Sequence, residues 1–380
     1  MNFLLLSCPS GEGHNSARRA IAEELDRQGV AYTMADPVSF QSERAQRMAA
    51  GAYNSLIRRS PRAFGLLYRA GALYSGTHLR SPVYFANAHY SESLYTYILE
   101  NRFDAVISTH LFGMEALTAI RRRQKVAFPS FGVLTDYTCI PFLREVELDL
   151  CFVPHEEVRQ ELIRKGVPAS TVEVSGIPVS AQLRARIDRA QAREQLGLPR
   201  DRKVYLILTG GVGCGHVCVL CDELLRIGGE DGFVCVLTGR NETLRGQLQA
   251  RFGSNAPFQA IPFTEQVPLY MRAADAVISK PGGLSSTEAA VANVPLVHFG
   301  AIPGCETKNA AFFSRHGLSL WGKQEREAIA YAAQLAHDPV QAEEMRKNQR
   351  EVLSPYGAET ILRRITETLG KTDGKENTEP

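Results

Sequence analysis

The sequence predicts an α/β protein built from two doubly wound domains, each around a parallel sheet. Three observations carry that prediction. Short apolar runs recur in two series along the 380 residues, amphipathic stretches separate them, and glycine-rich turns follow several of the runs. A continuous apolar run, without period-two alternation, marks a strand buried on both faces. Helical stretches between such runs imply β-α crossovers and parallel pairing.

The first series comprises "FLLLS" at 3–7, "FDAVIST" at 103–109, "FGVLTD" at 131–136 and "LCFVP" at 150–154. Helical patterns at 15–28 and 155–166 supply crossovers. Residues 41–98 form a long insertion between early strands. Glycine and proline break the pattern in "VSGIPVSAQL" at 174–183, and the charged helix "RARIDRAQAREQLGL" follows, so the domain boundary is placed there. The second series is "VYLILTGG" at 204–211, "FVCVLTG" at 233–239, "AVISK" at 276–280 and "PLVHFG" at 295–300. A helical pattern covers about 340–369, and the last ten residues, "KTDGKENTEP", have no apolar content and read as disordered. The expected division is 1–177, 178–355, a C-terminal helix at 356–370 and a tail at 371–380.

Composition narrows the function. Hydrophobic content of 44% and charged content of 22% are those of a soluble globular protein. A net charge of +2 gives no support to nucleic acid as a partner. Nine of the 43 basic residues are lysine, and arginine favours planar contact with phosphate and carboxylate. No apolar run reaches the roughly 18 residues of a membrane span, and the start "MNFLLLSCPS" lacks the basic region of a signal peptide. The eight cysteines are scattered, as reduced thiols in a cytoplasmic protein would be. Cys214, Cys218 and Cys221 have C-x3-C-x2-C spacing, which suits an iron–sulfur cluster. Their place at the start of a helix under a glycine turn favours small buried residues instead.

Four stretches can carry chemistry. In "SCPSGEGHNSARRAIAEEL", residues 7–25, Gly11 and Gly13 let backbone approach a ligand at a helix N-terminus, and His14 sits at the join. With Ser16 at the sixth position and Asp36 downstream, the match to a dinucleotide fingerprint is partial. A histidine there suits a base facing a hydroxyl better than a neighbour of pyrophosphate. The second stretch, "LTGGVGCGH" at 208–216, repeats the strand–glycine–helix logic and suits phosphate. In the third, "ADAVISKPGGLSSTEAAVANVPLVHFG" at 274–300, a strand ends at Ser279 and a turn through Pro281, Gly282 and Gly283 leads into a helix beginning near Ser285. The N–H groups of Gly283, Leu284 and Ser285 can meet a diphosphate, and Glu288 can accept from two ribose hydroxyls. In the fourth, "IPGCETKNAAFF" at 302–313, Glu306 and Asn309 suit sugar hydroxyls. The sequence contains no D-x-D pair and no G-x-x-x-x-G-K-[ST] loop, so neither a carboxylate-held metal nor a nucleotide triphosphatase is expected.

The insertion is basic and aromatic. Arg58, Arg59, Arg62 and Arg69 alternate with Phe64, Leu66, Leu67, Tyr68 and Tyr74. Such helices can lie in a membrane interface and attract anionic lipid; the other reading is a helix pair with a solvated basic face.

Taken together, "SKPGGLSSTEA", "IPGCETKN" and "GEGHNSA" closely resemble the monogalactosyldiacylglycerol synthase family, which includes bacterial processive diacylglycerol glucosyltransferases and is related to the enzyme that makes peptidoglycan lipid II. The similarity extends to "VLTDYTC" at 133–139, "FVPHEEV" at 152–158 and "VSGIPV" at 174–179. It implies a GT-B fold, two Rossmann-like domains facing a cleft with a C-terminal helix crossing back. The second domain would bind a UDP-hexose, glucose or galactose, and the first would bind diacylglycerol or a related lipid at the inner face of an anionic membrane. Glu288 would take the ribose, Gly282 to Ser285 the diphosphate, Glu306 and Asn309 the sugar, with Gly210 and Gly211 closing the phosphate site and Phe263 flanking the uracil. Gly13 and the insertion residues Arg58, Arg59, Arg62, Phe64 and Tyr68 would serve acceptor and membrane. His14 would be the general base and Asp136 would orient or stabilise its imidazole, giving inversion without a metal or other cofactor.

The chain departs from the family pattern in places. G-G-G-H is here Gly11-Glu12-Gly13-His14, P-G-Q-E is Pro303-Gly304-Cys305-Glu306, and a histidine and tryptophan after Asp136 give way to Ile140, Pro141 and Phe142. The last change touches the acceptor side. Two further readings stand beside the lipid one: a UDP-sugar transferase with a soluble acceptor, and a non-catalytic sugar-nucleotide or lipid sensor.

Overall fold

The computed structural model describes residues 1–8, 12–41, 61–77, 79–126, 128–185, 187–209, 217–253 and 257–376. Two compact units emerge: Met1–Ala181 with Pro355–Pro380, and Gln182–Ser354.

The first unit runs β1 (Asn2–Leu6), α1 (Glu12–Gln28), β2 (Ala31–Ala35), α2 (Pro61–Tyr74), α3 (Pro82–Ala88), α4 (Ser91–Glu100), β3 (Ala105–Ser108), α5 (Leu111–Arg123), β4 (Ser130–Val133), β5 (Leu150–Val153), α6 (Glu156–Arg164) and β6 (Val172–Val174). Its six strands are all parallel, in the order β2-β1-β3-β4-β5-β6. Alternation along β1 explains the unbroken apolar run. Phe3 and Leu5 pack on one face with Ile21 and Leu25 of α1, while Leu4 and Leu6 pack on the other with Leu94, Leu117 and Ile120.

The second unit runs α7 (Arg189–Leu196), β7 (Lys203–Leu208), α8 (Val217–Gly228), β8 (Gly232–Gly239), α9 (Glu242–Phe252), β9 (Phe258–Pro262), α10 (Val267–Ala273), β10 (Ala276–Ser279), α11 (Gly283–Val291), β11 (Leu296–His298), α12 (Cys305–Arg315), β12 (Leu320–Trp321), α13 (Glu325–His337) and α14 (Pro339–Val352). The sheet order is β12-β11-β10-β7-β8-β9, again all parallel.

The strands that continuous apolar runs did not reveal are β2, β6, β9 and β12, the outer strand on each side of both sheets. An edge strand is covered less completely, so its residues need not all be apolar; β2 reads AYTMA with no fully buried member. The single helical pattern expected over 340–369 is two helices. Ser354 and Pro355 separate α14 from α15 (Gly357–Glu376), because proline disfavours helix in the residue before it. The tail expected to be unstructured from 371 continues α15 to Glu376, since adding a residue to a helix already nucleated costs far less than starting one. Residues 377–380 lie outside the described residues.

Helix α15 belongs to the first unit. Ile361, Leu362 and Ile365 are buried in the same cluster as Phe3, Ile21 and Phe131, and the Arg364 Nε bonds Glu173 at 2.6 Å. Burying three such side chains contributes about 1.5–3 kcal/mol each. Among the described residues, no helix is long and apolar enough to cross a membrane.

Candidate active site

Strand order determines where each unit can bind a ligand. In the first sheet the chain leaves β1 for β2 on one side and returns to β3 on the other. The crevice at the carboxyl ends of β1 and β3 is the switch point where open parallel sheets bind ligands. His14, in the first turn of α1, and Thr109 and His110, directly after β3, stand there.

The His14 Nδ1 lies 2.9 Å from the Thr109 carbonyl oxygen and 2.9 Å from Thr135 Oγ1. A carbonyl only accepts, so Nδ1 carries the hydrogen, and the lone pair is left on Nε2. Thr109 Oγ1 in turn donates to the His14 carbonyl at 3.0 Å, so the end of β3 grips both backbone and ring of residue 14. Desolvation holds the His14 pKa below the ordinary imidazole value; the Asp136 charge and the Thr109 bond oppose it. The ring is therefore neutral, and ready to accept a proton at Nε2, at neutral pH. A cavity of about 20 Å³, room for about one water, is lined by His14, Thr135, Asp136 and Ile140. Thr109 and Thr135 hold the imidazole at Nδ1, and the charge of Asp136 bears on it.

His110 packs edge-on to His14, with ring centroids 4.7 Å apart. It caps α5: its Nδ1 accepts the Phe112 N–H at 3.2 Å, which leaves the hydrogen on Nε2. Desolvation first, and the neighbouring His14 second, hold its pKa well below the ordinary value. The sequence reading missed Thr109, His110 and Thr135, although all three follow apolar runs directly.

Asp36, the acid a dinucleotide site would place on a ribose, instead caps a short turn, accepting the Val38 N–H at 2.9 Å. The Ile140–Phe142 segment leans on the insertion. The Phe142 N–H donates to Ser75 Oγ at 3.2 Å, a Cβ on Gly71 would meet the Phe142 ring at 3.1 Å, and Phe142 has a left-handed φ of 69°.

Much of the insertion reading falls where little is described. Arg58 and Arg59 lie outside the described residues, as do the side chains of Arg62 and Phe64. Tyr68 is half-buried. What α2 presents to solvent is a stripe at helical spacing: Leu66, 70% exposed, Arg69, Ala70, and Leu73, 78% exposed. Leu79 and Phe85 beyond it are exposed as well.

In the second sheet the switch point lies between β7 and β10. Gly210 and Gly211, after β7, and Cys214 lie outside the described residues; Cys221 is buried in α8. After β10, Gly282 is the N-cap of α11, and the first intrahelical bond runs from the Ser286 N–H to the Gly282 carbonyl at 3.0 Å. The helix starts at Gly283, two residues before the sequence placed it, so the N–H groups of Gly283, Leu284 and Ser285 fall in the first turn, where a helix has no internal acceptor for them. Glu288 is half-buried further along α11.

Asn309 does not stand open to a sugar. It is fully buried, and its amide donates to the Pro281 carbonyl at 3.1 Å, bracing the turn before α11. The Glu306 carboxylate accepts the Ile302 N–H at 2.7 Å within its own loop. His298, at the end of β11, is also fully buried: its Nε2 lies 2.9 Å from Ser286 Oγ on α11 and its Nδ1 3.0 Å from Ser319 Oγ. Burial pushes its pKa down to about 3. Phe263, 57% exposed, follows β9, with the Arg240 guanidinium 4.9 Å over its ring.

Comparison with known proteins is consistent with this layout. Residues 14–179 match the family model for monogalactosyldiacylglycerol (MGDG) synthase, and residues 218–352 match the glycosyltransferase family 28 C-terminal domain. Over 377 residues the chain is 27% identical to a protein of Bacillus licheniformis named processive diacylglycerol beta-glucosyltransferase, covering 96% of this chain and 94% of that one. A protein of the same name from Bacillus pumilus is 26% identical over the same span. Among solved structures, Acinetobacter baumannii MurG aligns with a TM-score of 0.62 at 16% identity, covering 97% of this chain and 99% of the other. The UDP co-structure of Staphylococcus aureus MnaA aligns with a TM-score of 0.65 at 13% identity, covering 97% of both. At these identities the structural likeness is one of fold, and the fold is GT-B.

Proposed function

We propose that this chain, an MGDG synthase domain followed by a family 28 glycosyltransferase C-terminal domain, transfers a hexose from a UDP-sugar to the free hydroxyl of diacylglycerol at a membrane surface. The observation that carries the reading is His14, held by a carbonyl at Nδ1 so that Nε2 keeps its lone pair at the ligand-binding edge of the first sheet. The names of the curated relatives favour diacylglycerol as acceptor and glucose as the hexose.

In the proposed step His14 Nε2 takes the proton of the acceptor hydroxyl as that oxygen attacks the anomeric carbon. The bond from that carbon to the UDP oxygen breaks, and the electron pair leaves with UDP. A single displacement inverts the anomeric configuration. The first-turn N–H groups and the dipole of α11 stabilise the departing diphosphate, Glu288 holds the ribose, Phe263 flanks the base and Glu306 contributes to the sugar site. The lack of a D-x-D pair supports transfer without a resident metal. The Leu66–Leu73 stripe, with Arg69 between, supports docking of α2 into the interface of an anionic inner leaflet.

The test is to incubate the protein with UDP-glucose or UDP-galactose and diacylglycerol in vesicles containing phosphatidylglycerol, and to analyse the lipids by mass spectrometry. A β-hexosyl-diacylglycerol is expected, with glucose preferred. UDP release without glycolipid would reject diacylglycerol as the acceptor and leave a soluble one. UDP binding with no turnover of either sugar would reject the transferase reading in favour of a sensor.

A further inference from the structure

The second unit has a cavity of about 610 Å³ at the amino-end edge of its sheet, beside the C-terminal end of α11 and opposite that helix's first turn. Strand direction places it there: Lys203 opens β7, Asp275 directly precedes β10, and Val294 lies just before β11, whereas the candidate donor loops leave the carboxyl ends of β10 and β11. Four cationic side chains, Arg189, Lys203, Arg272 and Arg346, line it against two carboxylates, Asp275 and Glu343.

Both carboxylates are already engaged. Asp275, 4% exposed, accepts from Arg189 at 2.5 Å, from Arg193 at 2.6 Å and from the Val204 N–H at 2.7 Å. Glu343 accepts from Arg350 at 2.8 Å and from Arg346 at 3.4 Å. Lys203 and Arg272 have no carboxylate partner among the described residues. Arg272 donates to the Leu183 carbonyl, and its Nε is buried with no acceptor. A cavity lined by a guanidinium and an ammonium that no carboxylate among the described residues neutralises suits the oxygens of a phosphate.

We propose that this cavity binds a phosphate group, held by Arg272 and Lys203 and carried either on a soluble molecule or on a lipid headgroup. Arg346 and Arg189, each shared with a carboxylate, add positive potential around it. The site is separate from the candidate donor loop and does not depend on the proposed reaction.

The experiment saturates the full-length protein with UDP and then titrates inorganic pyrophosphate and inorganic phosphate, followed by calorimetry and by phosphorus NMR line width. One binding event beyond UDP is expected, weakened by salt and about tenfold weaker in Lys203→Gln, the loss of one charge-assisted contact. Arg272→Gln provides a second reading of the same site. No event beyond UDP, or equal affinity in wild type and both variants, overturns the proposal. If UDP fails to bind while the Lys203-sensitive event persists, the donor reading falls and this site stands. Flotation with phosphatidylcholine vesicles, with and without phosphatidate, separates the sources. Lys203-dependent flotation on phosphatidate assigns a headgroup, and flotation indifferent to Lys203→Gln assigns a soluble phosphate.

Discussion

The His14 Nδ1 lies 2.9 Å from the carbonyl oxygen of Thr109, a residue 95 positions further along the chain. That contact sets which nitrogen holds the hydrogen, and therefore which one can act as a base. His14→Ala should lower kcat by about 10²- to 10⁴-fold, the usual worth of a positioned acid–base group. Because desolvation lowers the His14 pKa and Asp136 raises it, the acid limb of the kcat/KM profile should lie below pH 6.5. Asp136→Asn removes the raising charge, so its acid limb should move to lower pH while the plateau falls. A profile unmoved by Asp136→Asn would disconnect the carboxylate from the imidazole.

His110 packs edge-on against the His14 ring and holds α5 by its Nδ1. His110→Asn keeps a capping oxygen and removes the ring. We expect kcat to fall by about 10- to 100-fold, as for a slightly misplaced reacting group, with KM for the UDP-sugar unchanged. Equal loss in both parameters, or loss of folding cooperativity, would make His110 merely structural.

Asn309 separates two roles that give different signatures. If it braces the Pro281 turn, Asn309→Ala leaves that carbonyl without its buried donor and should reduce unfolding stability by about 1–3 kcal/mol with no ligand present. A sugar ligand would instead show an unchanged denaturation midpoint and an altered preference between hexoses.

His298 should make stability depend on pH. Its folded pKa near 3 lies below the unfolded value of 6.5, so below pH 6.5 the unfolded chain takes up a proton that the native state refuses. Stability from this group is complete above pH 6.5 and falls by about 1.4 kcal/mol per unit as pH drops toward 3. Guanidinium unfolding at pH 6.5 and pH 5 should therefore show wild type losing about 2 kcal/mol more than His298→Gln. Parallel losses would mean that the imidazole charges inside the fold.

The exposed stripe on α2 predicts membrane behaviour. Leu66→Ser with Leu73→Ser should reduce flotation on vesicles containing phosphatidylglycerol, and raised salt should weaken what remains. Unchanged flotation would remove α2 from the membrane contact.

The sequence by itself determined the strand–turn–helix units, because burial on both faces of a sheet and the needs of a tight turn are written in neighbouring residues. "FLLLS" announced β1, and "SKPGG" announced the turn into α11 to within two residues. The edge strands escaped because partial cover leaves no such signature. Only the tertiary structure decided how the candidate residues are used. Thr109 and Thr135 reach His14 from 95 and 121 positions away because β1, β3 and β4 lie side by side. Asn309, read as suited to sugar hydroxyls, is buried with its amide on the Pro281 carbonyl. A local pattern records what one segment must bury; which nitrogen is protonated and which amide faces a ligand depend on partners that strand order alone brings together.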